Sequence, residues 1–144
     1  MTLTLSPAAA SDAQAMEQLI RQAMAPCYAR HALQWDSAAF HLQLATTRNH
    51  WLYWHGQLAG VLRYQQDGQV LYLRDLHIVP TLRGQGLGGM ALAQLATLAR
   101  LCGNTAIRLR TFADSPALHF YLRHGYQQVR QDGPLAGLAY PLSR

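Results

Sequence analysis

A cluster of glycines past the middle of the chain is the segment best suited to carry chemistry. It reads Arg83, Gly84, Gln85, Gly86, Leu87, Gly88 and Gly89, and a run typical of a helix follows it. A glycine-rich turn before a helix leaves backbone N–H groups free, and the positive end of the helix dipole attracts an anion to them. Because glycine has no Cβ, a phosphate can approach the backbone closely. Four glycines in six positions exceed what a turn alone requires. The segment therefore predicts a phosphate-binding loop.

Known phosphate-binding patterns differ in what else they require. A P-loop needs a lysine after its last glycine, and all 12 basic residues of this chain are arginines. Gly84–Gly89 fits the dinucleotide fingerprint Gly-x-Gly-x-x-Gly, but the acidic residue expected at the end of the next strand is absent, and Arg108, Arg110 and Thr111 stand there instead. Only 33 residues follow Thr111, too few for the further βα units of a Rossmann domain. A dinucleotide site is therefore the weaker alternative.

Hydrophobic periodicity predicts the elements around this loop, in the order β-α-α-β-β-β-α-β-α-β-β. We expect Pro26 to end the first helix, and residues 27–35 to form an aromatic and basic connection. Residues 51–54, 58–64 and 70–79, separated by tight turns, predict an antiparallel meander. The helix after the loop, the strand at 106–111, a helix over 114–124 and two final strands complete an α/β (α+β) fold. It is a mixed, mostly antiparallel sheet flanked by helices.

Three motifs in order carry a resemblance to a known family. Arg83–Gly88 fits the pattern Arg/Gln-x-x-Gly-x-Gly/Ala, and residues 76–80 look like a Leu-x-Val-x-Pro strand end with Ile78 in the valine place. The segment 114–126, with Tyr121 at its centre, is similar to Asn-x-x-Ala-x-x-x-Tyr-x-x-x-Gly-Phe. With these motifs at family spacing, most of the chain resembles the GNAT superfamily of N-acetyltransferases and its acyl-CoA N-acyltransferase fold.

The resemblance implies an acetyl-CoA-dependent acyltransferase in which a primary amine attacks the thioester directly. Arg83–Gly88 would cradle the pyrophosphate, and backbone groups of Ile78 and Val79 would pair with the pantetheine arm. Asp114 takes the place of the family's asparagine at the cofactor; Asp caps a helix equally well but cannot donate as an amide does. Tyr121 would protonate the departing thiolate, although its spacing alone is typical of a core aromatic.

The acceptor side is less well marked, because no glutamate lies on the strand before the loop. Counting back from Ile78 by twos places Leu76, Arg74 and Tyr72 on one face, and Asp75 and His77 on the other. In the family the first of these faces often carries substrate-side residues. We therefore expect Tyr72 and Arg74 to bind the acceptor, together with residues 27–35, and water ordered by Tyr72 to relay the proton.

The formal net charge of +5 suits an anionic ligand. The arginines are scattered and no helix has a basic face, which disfavours nucleic acid as the partner. Arg74, Arg30 and His31 instead suggest an acceptor amine, on a small molecule or a peptide, that also carries negative charge. A non-catalytic CoA-binding regulatory or interaction module is the alternative from a different class.

Length and composition fit one domain spanning residues 1–144. The chain is 50% hydrophobic, enough for one core, and too short for two domains. Neither an apolar stretch of membrane-spanning length nor a secretory signal is visible, so we expect a cytoplasmic protein without a membrane partner. The two cysteines and seven histidines lack metal-ligand spacing, which predicts no metal site. The sequence allows a homodimer.

Overall fold

The computed structural model describes residues 2–142, and its strands and helices follow the predicted order. The strands are β1 (Thr4–Pro7), β2 (Arg48–Trp54), β3 (Gln57–Asp67), β4 (Val70–Ile78), β5 (Ala106–Phe112), β6 (Gln127–Asp132) and β7 (Leu135–Pro141). The α-helices are α1 (Ala13–Arg30), α2 (Ser37–Gln43), α3 (Leu87–Leu101) and α4 (Pro116–Arg123). Single 3-10 turns lie at Ala10–Asp12 and Pro80–Leu82.

The strands form one sheet in the order β1-β2-β3-β4-β5-β7-β6. Strands β2, β3 and β4 make the predicted antiparallel meander, and β4 and β5 are the parallel pair. This confirms a mixed, mostly antiparallel sheet. The parallel pairing is short, because only Val70–Tyr72 meets Ala106–Arg108. Beyond Tyr72 the two strands diverge, and the opening between them becomes the centre of the site.

Helices cover both faces of the sheet. Successive strand residues point to opposite faces, so Val61 lies in a buried cluster with Met16 and Phe40 of α1 and α2. The adjacent Leu62 lies in the larger cluster with Leu95 of α3. The site opens between these two layers. In the part of the chain that is described, no helix is long and apolar enough to cross a membrane.

Helix α1 continues past the proline that was expected to end it. Pro26 lies inside the helix, which extends to Arg30. A proline cannot donate to the carbonyl four residues earlier, which belongs to Gln22. Both residues are exposed, so water can solvate that carbonyl. The prediction was therefore wrong at this boundary, and the irregular connection covers residues 31–36 in place of 27–35.

Candidate active site

The divergence of β4 and β5 opens a cavity of about 1050 Å³. It runs from the glycine loop, along the free edge of β4, to the C-terminal part of α1 and the connection after it. Helix α4 contributes to its opposite wall. The cavity therefore joins the predicted phosphate-binding loop to a region on the other face of the sheet.

The glycine loop ends in an open helix N-terminus. Gly84 and Gly86 both have φ of +79°, a left-handed conformation that side chains with a Cβ rarely adopt. The first backbone bond of α3 runs from Met90 N–H to the Gly86 carbonyl. The N–H groups of residues 87–89 therefore have no helical partner, and the positive end of the α3 dipole adds to their attraction for an anion.

Two later glycines serve the packing of α3 against α4. A Cβ on Gly88 would lie 2.9 Å from Cζ of Phe120, and one on Gly89 would lie 2.7 Å from Cε1 of His124. Both distances are shorter than carbon atoms tolerate. Gly88 thus allows α3 and α4 to pack closely, which its place in the glycine pattern does not reveal.

The backbone of β4 presents an unpaired edge to the cavity. Val79 N–H donates to the Ala59 carbonyl at 2.8 Å, so Gly60 and Ile78 form a non-hydrogen-bonded pair of the β3–β4 ladder. The N–H and carbonyl of Ile78 therefore point away from β3, toward the opening. The Ile78 carbonyl accepts from Arg83 Nε at 3.0 Å. Of the two residues expected at the pantetheine arm, Ile78 offers its N–H, whereas that of Val79 is already engaged.

A β-bulge at Arg74 reverses the strand parity counted from the sequence. Two consecutive β3 residues, 63 and 64, pair with Asp75 and Leu73, which leaves Arg74 as an extra residue. One extra residue shifts the alternation of faces. Tyr72 therefore lies on the face of Asp75, and the prediction that these two side chains point in opposite directions is wrong.

A buried arginine and a carboxylate form an ion pair in the cavity wall, on the face of the sheet that α1 and α2 cover. Arg63 is 1% exposed, and its Nη1 donates to Asp75 Oδ2 at 2.9 Å. Its Nε donates to Asn49 Oδ1 at 2.9 Å, and its guanidinium lies 4.5 Å from the centre of the Phe40 ring. Asp75 Oδ1 lies 3.3 Å from Nε2 of His77.

Sequence reasoning missed this group. Arg63, Asp75 and His77 all line the cavity. The available signal was a charged residue in the middle of an apolar strand, because an arginine at such a position requires a buried partner. Its partner on the neighbouring strand follows only from the register.

Aromatic rings form the acceptor end of the cavity. Tyr28 of α1 lies 5.8 Å from Trp35 of the connection and 6.2 Å from Phe112 at the end of β5, measured between ring centres. Burial, and then the negative charge of Asp75, raise the pKa of Tyr28. The phenol therefore stays protonated near this carboxylate.

Asp114 fixes the connection after α1 and does not line the cavity. Its carboxylate contacts His31 Nε2 at 3.1 Å and Arg30 Nε at 3.4 Å. The hydrogen bond from His31 is the main cause that lowers the pKa of Asp114. The cap of α4 is Ser115, whose Oγ accepts from Ala117 N–H at 3.2 Å. The expectation that Asp114 caps this helix is therefore wrong.

Tyr121 lies in the core and also reaches the cavity wall. Its side chain is 7% exposed, packs with Tyr126 at 5.4 Å between ring centres, and lines the cavity. Burial, and then the neighbouring Tyr126, raise its pKa far above the ordinary value. It is therefore a core aromatic at the cavity wall, and its phenol carries a proton before any reaction begins.

Comparison with known proteins decides the family. The model of the acetyltransferase (GNAT) family matches residues 14–126, more than half of the chain. The chain belongs to the acetyltransferase (GNAT) family. As a GNAT protein it is an acetyl-CoA-dependent acetyltransferase, and this membership favours CoA over a dinucleotide at the glycine loop.

Solved structures show the same GNAT fold. An acetyltransferase from Thermus thermophilus is 22% identical with a TM-score of 0.79, over 99% of this chain and 98% of that one. A PaiA N-acetyltransferase from Thermoplasma acidophilum in complex with coenzyme A is 13% identical with a TM-score of 0.77, over 98% and 99%. A GNAT acetyltransferase from Elizabethkingia anophelis with acetyl-CoA bound is 12% identical with a TM-score of 0.73, over 98% and 99%.

The residues of this GNAT cavity fit a CoA molecule. The left-handed glycines and the free N–H groups of residues 87–89 suit a pyrophosphate. Arg83, Arg123 and His124 line the same end of the cavity and supply cationic or hydrogen-bonding groups. The free edge of β4 suits the amide-bearing pantetheine arm. A group of three or more His, Cys, Asp or Glu that could hold a metal ion does not occur within residues 2–142.

Proposed function

We propose that this protein transfers the acetyl group of acetyl-CoA to a primary amine of a small molecule or a peptide. The observation that carries the proposal is a single cavity that connects two different ends. One end has the open helix N-terminus for a pyrophosphate, and the other has a carboxylate, an imidazole and aromatic rings. An amine that enters from the second end meets the thioester where β4 and β5 diverge.

The cofactor end is held by the glycine loop and by β4. We assign the pyrophosphate to Arg83 and the N–H groups of residues 84–89, the segment that contains Gly84, Gln85, Gly86, Leu87 and Gly88. The N–H of Ile78 binds the pantetheine arm. Asp114 is left out of this set because its carboxylate is engaged by His31. Acetyl-CoA supplies an acyl carbon that is activated by its thioester.

At the acceptor end the chain must hold an uncharged amine. His77 is suited to take up the proton, because an imidazole exchanges protons readily near neutral pH. Asp75 holds its ring, and Arg63 holds Asp75. The water ordered by Tyr72 is a weaker choice, since the Tyr72 hydroxyl already accepts from Arg110 Nε at 3.2 Å.

The electrons and protons of the transfer then balance. The amine lone pair forms the C–N bond, the C–S bond breaks, and the electron pair stays on sulfur. The nitrogen loses one proton to His77, and Tyr121 gives one proton to the thiolate as the C–S bond breaks. The phenolate then regains a proton from solvent while His77 releases its own, which returns both groups to their starting states. Proximity and orientation within the cavity lower the barrier further.

Thiol release from acetyl-CoA tests the proposal. The panel contains simple amines, amino acids, polyamines, aminoglycosides and peptides, and mass spectrometry locates the acetyl group on the product. We expect acceptor-dependent thiol release and acetylation on nitrogen. Alcohols that match these amines serve as controls, and they should give neither thiol release nor an acetylated product. Tight acetyl-CoA binding without release for any acceptor would instead indicate a CoA-binding regulatory module.

A further inference from the structure

A second groove, of about 460 Å³, adjoins the acceptor end of the cavity. All residues that line it belong to strands β3 to β7, so it lies on bare sheet. It shares Tyr72, Arg74, Leu109 and Arg110 with the main cavity. A molecule whose amine reaches the main cavity can therefore extend into this groove.

Four arginines line the groove, and three of them lack a carboxylate partner among the described residues. Arg130 is paired with Asp132 at 3.0 Å. Within residues 2–142, Arg74, Arg108 and Arg110 form no ion pair with a carboxylate. Arg74 instead donates to Gln65 and stacks on Tyr72 at 4.9 Å. Arg110 donates to Tyr72, and the Arg108 side chain makes no hydrogen bond to any of the described residues. Besides Asp132, the groove contains one further carboxylate, Asp67. The arginines outnumber the carboxylates.

The shape of the groove depends on a close contact across two strands. A Cβ on Gly137 of β7 would lie 2.5 Å from Cγ of Arg130 of β6. The absence of a side chain at Gly137 lets Arg130 lie across the sheet beside Arg110, which is paired with Gly137 on the other side. Arg130 and Arg110 thus stand on either side of Gly137, and they set the width of the groove.

The arginine spacing matches an extended chain. Arg108 and Arg110 are exposed while Ile107 and Leu109 are buried, so both arginines lie on one face of β5. Residues two apart on a strand are separated by about 6.6–7 Å, and the same distance separates alternate residues of an extended peptide. Guanidinium groups bind carboxylates through paired hydrogen bonds.

We propose that the acceptor is an acidic peptide whose N-terminal amine enters the cavity while two carboxylates, at its second and fourth residues, bind Arg110 and Arg108. This inference rests on the proposed function, because it names the substrate class of that site. Arg110 borders both spaces, so it binds the carboxylate nearer the amine.

Matched tetrapeptides with free N-termini test the charge preference. The first is Ala-Glu-Ala-Glu amide, and the other two have Gln or Lys at both Glu positions. We expect kcat/KM to decrease from Glu to Gln to Lys, by about tenfold at each step at low salt, and the differences to shrink at high salt. Free glutamate, which cannot span both arginines, should be at least tenfold poorer than the Glu peptide.

Arg108→Gln removes an exposed guanidinium that makes no hydrogen bond or ion pair within residues 2–142, so the variant should fold as the parent does. It should lower kcat/KM for the Glu peptide several-fold and leave the KM for acetyl-CoA and the rate with the Gln peptide unchanged. Arg108→Glu should reverse the order and favour the Lys peptide, an effect that a merely structural role would not produce. Arg100→Gln, on exposed α3 surface outside both cavities, is the charge-matched control.

Different results overturn the two proposals. Equal kcat/KM for all three peptides, equal use of free glutamate, or a preference that persists in both Arg108 variants would refute the groove assignment alone. Calorimetric titration of the Glu peptide into the CoA-bound protein separates binding from turnover. Arg108-dependent binding without acetylation of any amine would support the groove and refute the proposed function. If the Glu peptide shows no Arg108-dependent binding and no amine is acetylated, both the groove assignment and the proposed function are refuted.

Discussion

Asp75 Oδ1 lies 3.3 Å from His77 Nε2, and the other oxygen of the same carboxylate accepts from buried Arg63 at 2.9 Å. The carboxylate is thus held from one side and orients the imidazole from the other. Because all three residues line the cavity, this contact gives the acceptor end a group that can take up a proton.

Replacement of His77 by glutamine tests that role. An amide keeps a hydrogen-bonding group beside Asp75 but cannot accept the proton of the amine. We expect kcat near pH 7 to fall by about 10²–10⁴, with the KM for acetyl-CoA nearly unchanged. The loss should shrink as pH rises, since hydroxide can then take up the proton of the attacking nitrogen in place of the imidazole. The control is His119→Gln, on the exposed side of α4. A variant with the parent rate and pH profile would remove His77 from the mechanism.

The parity error at Tyr72 shows where sequence reasoning stops. The sequence predicted the order of the strands and α-helices, largely because burial on one face leaves a repeating pattern of apolar residues. The bulge at Arg74 is a property of the β3–β4 register. The bulge leaves no repeating pattern in the sequence. Counting alternate residues back from Ile78 therefore continued through the bulge and assigned Tyr72 to the wrong face of the sheet.

Gly86→Val should weaken acetyl-CoA binding at least tenfold in calorimetry. The φ of Gly86 is +79°, and a β-branched residue there forces the loop to a different backbone path that moves the free N–H groups. Gly56→Val is the matched control, because Gly56 has φ of +77° in the β2–β3 turn and does not line the cavity. It should cause similar strain but leave CoA affinity unchanged. Equal affinity in both folded variants would contradict the loop assignment.

Helix boundaries were the other weak point of the sequence analysis, because the residues at a boundary do not decide it alone. Asp114 and Ser115 are equally good capping residues, and the choice between them depends on His31, which lies far away in the chain and binds the Asp114 carboxylate. Pro26 ends a helix by its own chemistry, yet exposure of that turn allows the helix to continue. Long-range contacts decided the first case and solvation the second.

The stability of the fold should decrease as the pH falls below the ordinary histidine range, in part because of His50. Burial, and then the positive charge of Arg48, lower the pKa of His50 in the folded state. The unfolded chain, with an ordinary pKa of about 6.5, then binds this proton more readily. Protonation therefore favours unfolding, by at most about 1.4 kcal/mol per pH unit for one proton.

Urea unfolding at pH 7.5 and 5.5 measures this slope. His50→Phe keeps a ring against Tyr64, whose centre lies 5.5 Å from that of His50, and removes the titrating nitrogens. It should reduce the loss of unfolding free energy between the two pH values, whereas His119→Gln should not. An identical slope in parent and His50→Phe protein would assign the acid sensitivity to other groups.

Tyr121→Phe distinguishes a proton donor from a core aromatic. The substitution keeps the ring that packs on Tyr126 but removes the phenolic proton, so kcat should fall by about 10²–10⁴ while acetyl-CoA affinity stays nearly the same. Tyr126→Phe is the matched control, because its hydroxyl is buried without a hydrogen-bond partner among the described residues and does not line the cavity. That variant should turn over at the parent rate. If Tyr121→Phe folds, binds acetyl-CoA and also keeps the parent rate, the thiolate takes its proton from elsewhere, and Tyr121 serves the core alone.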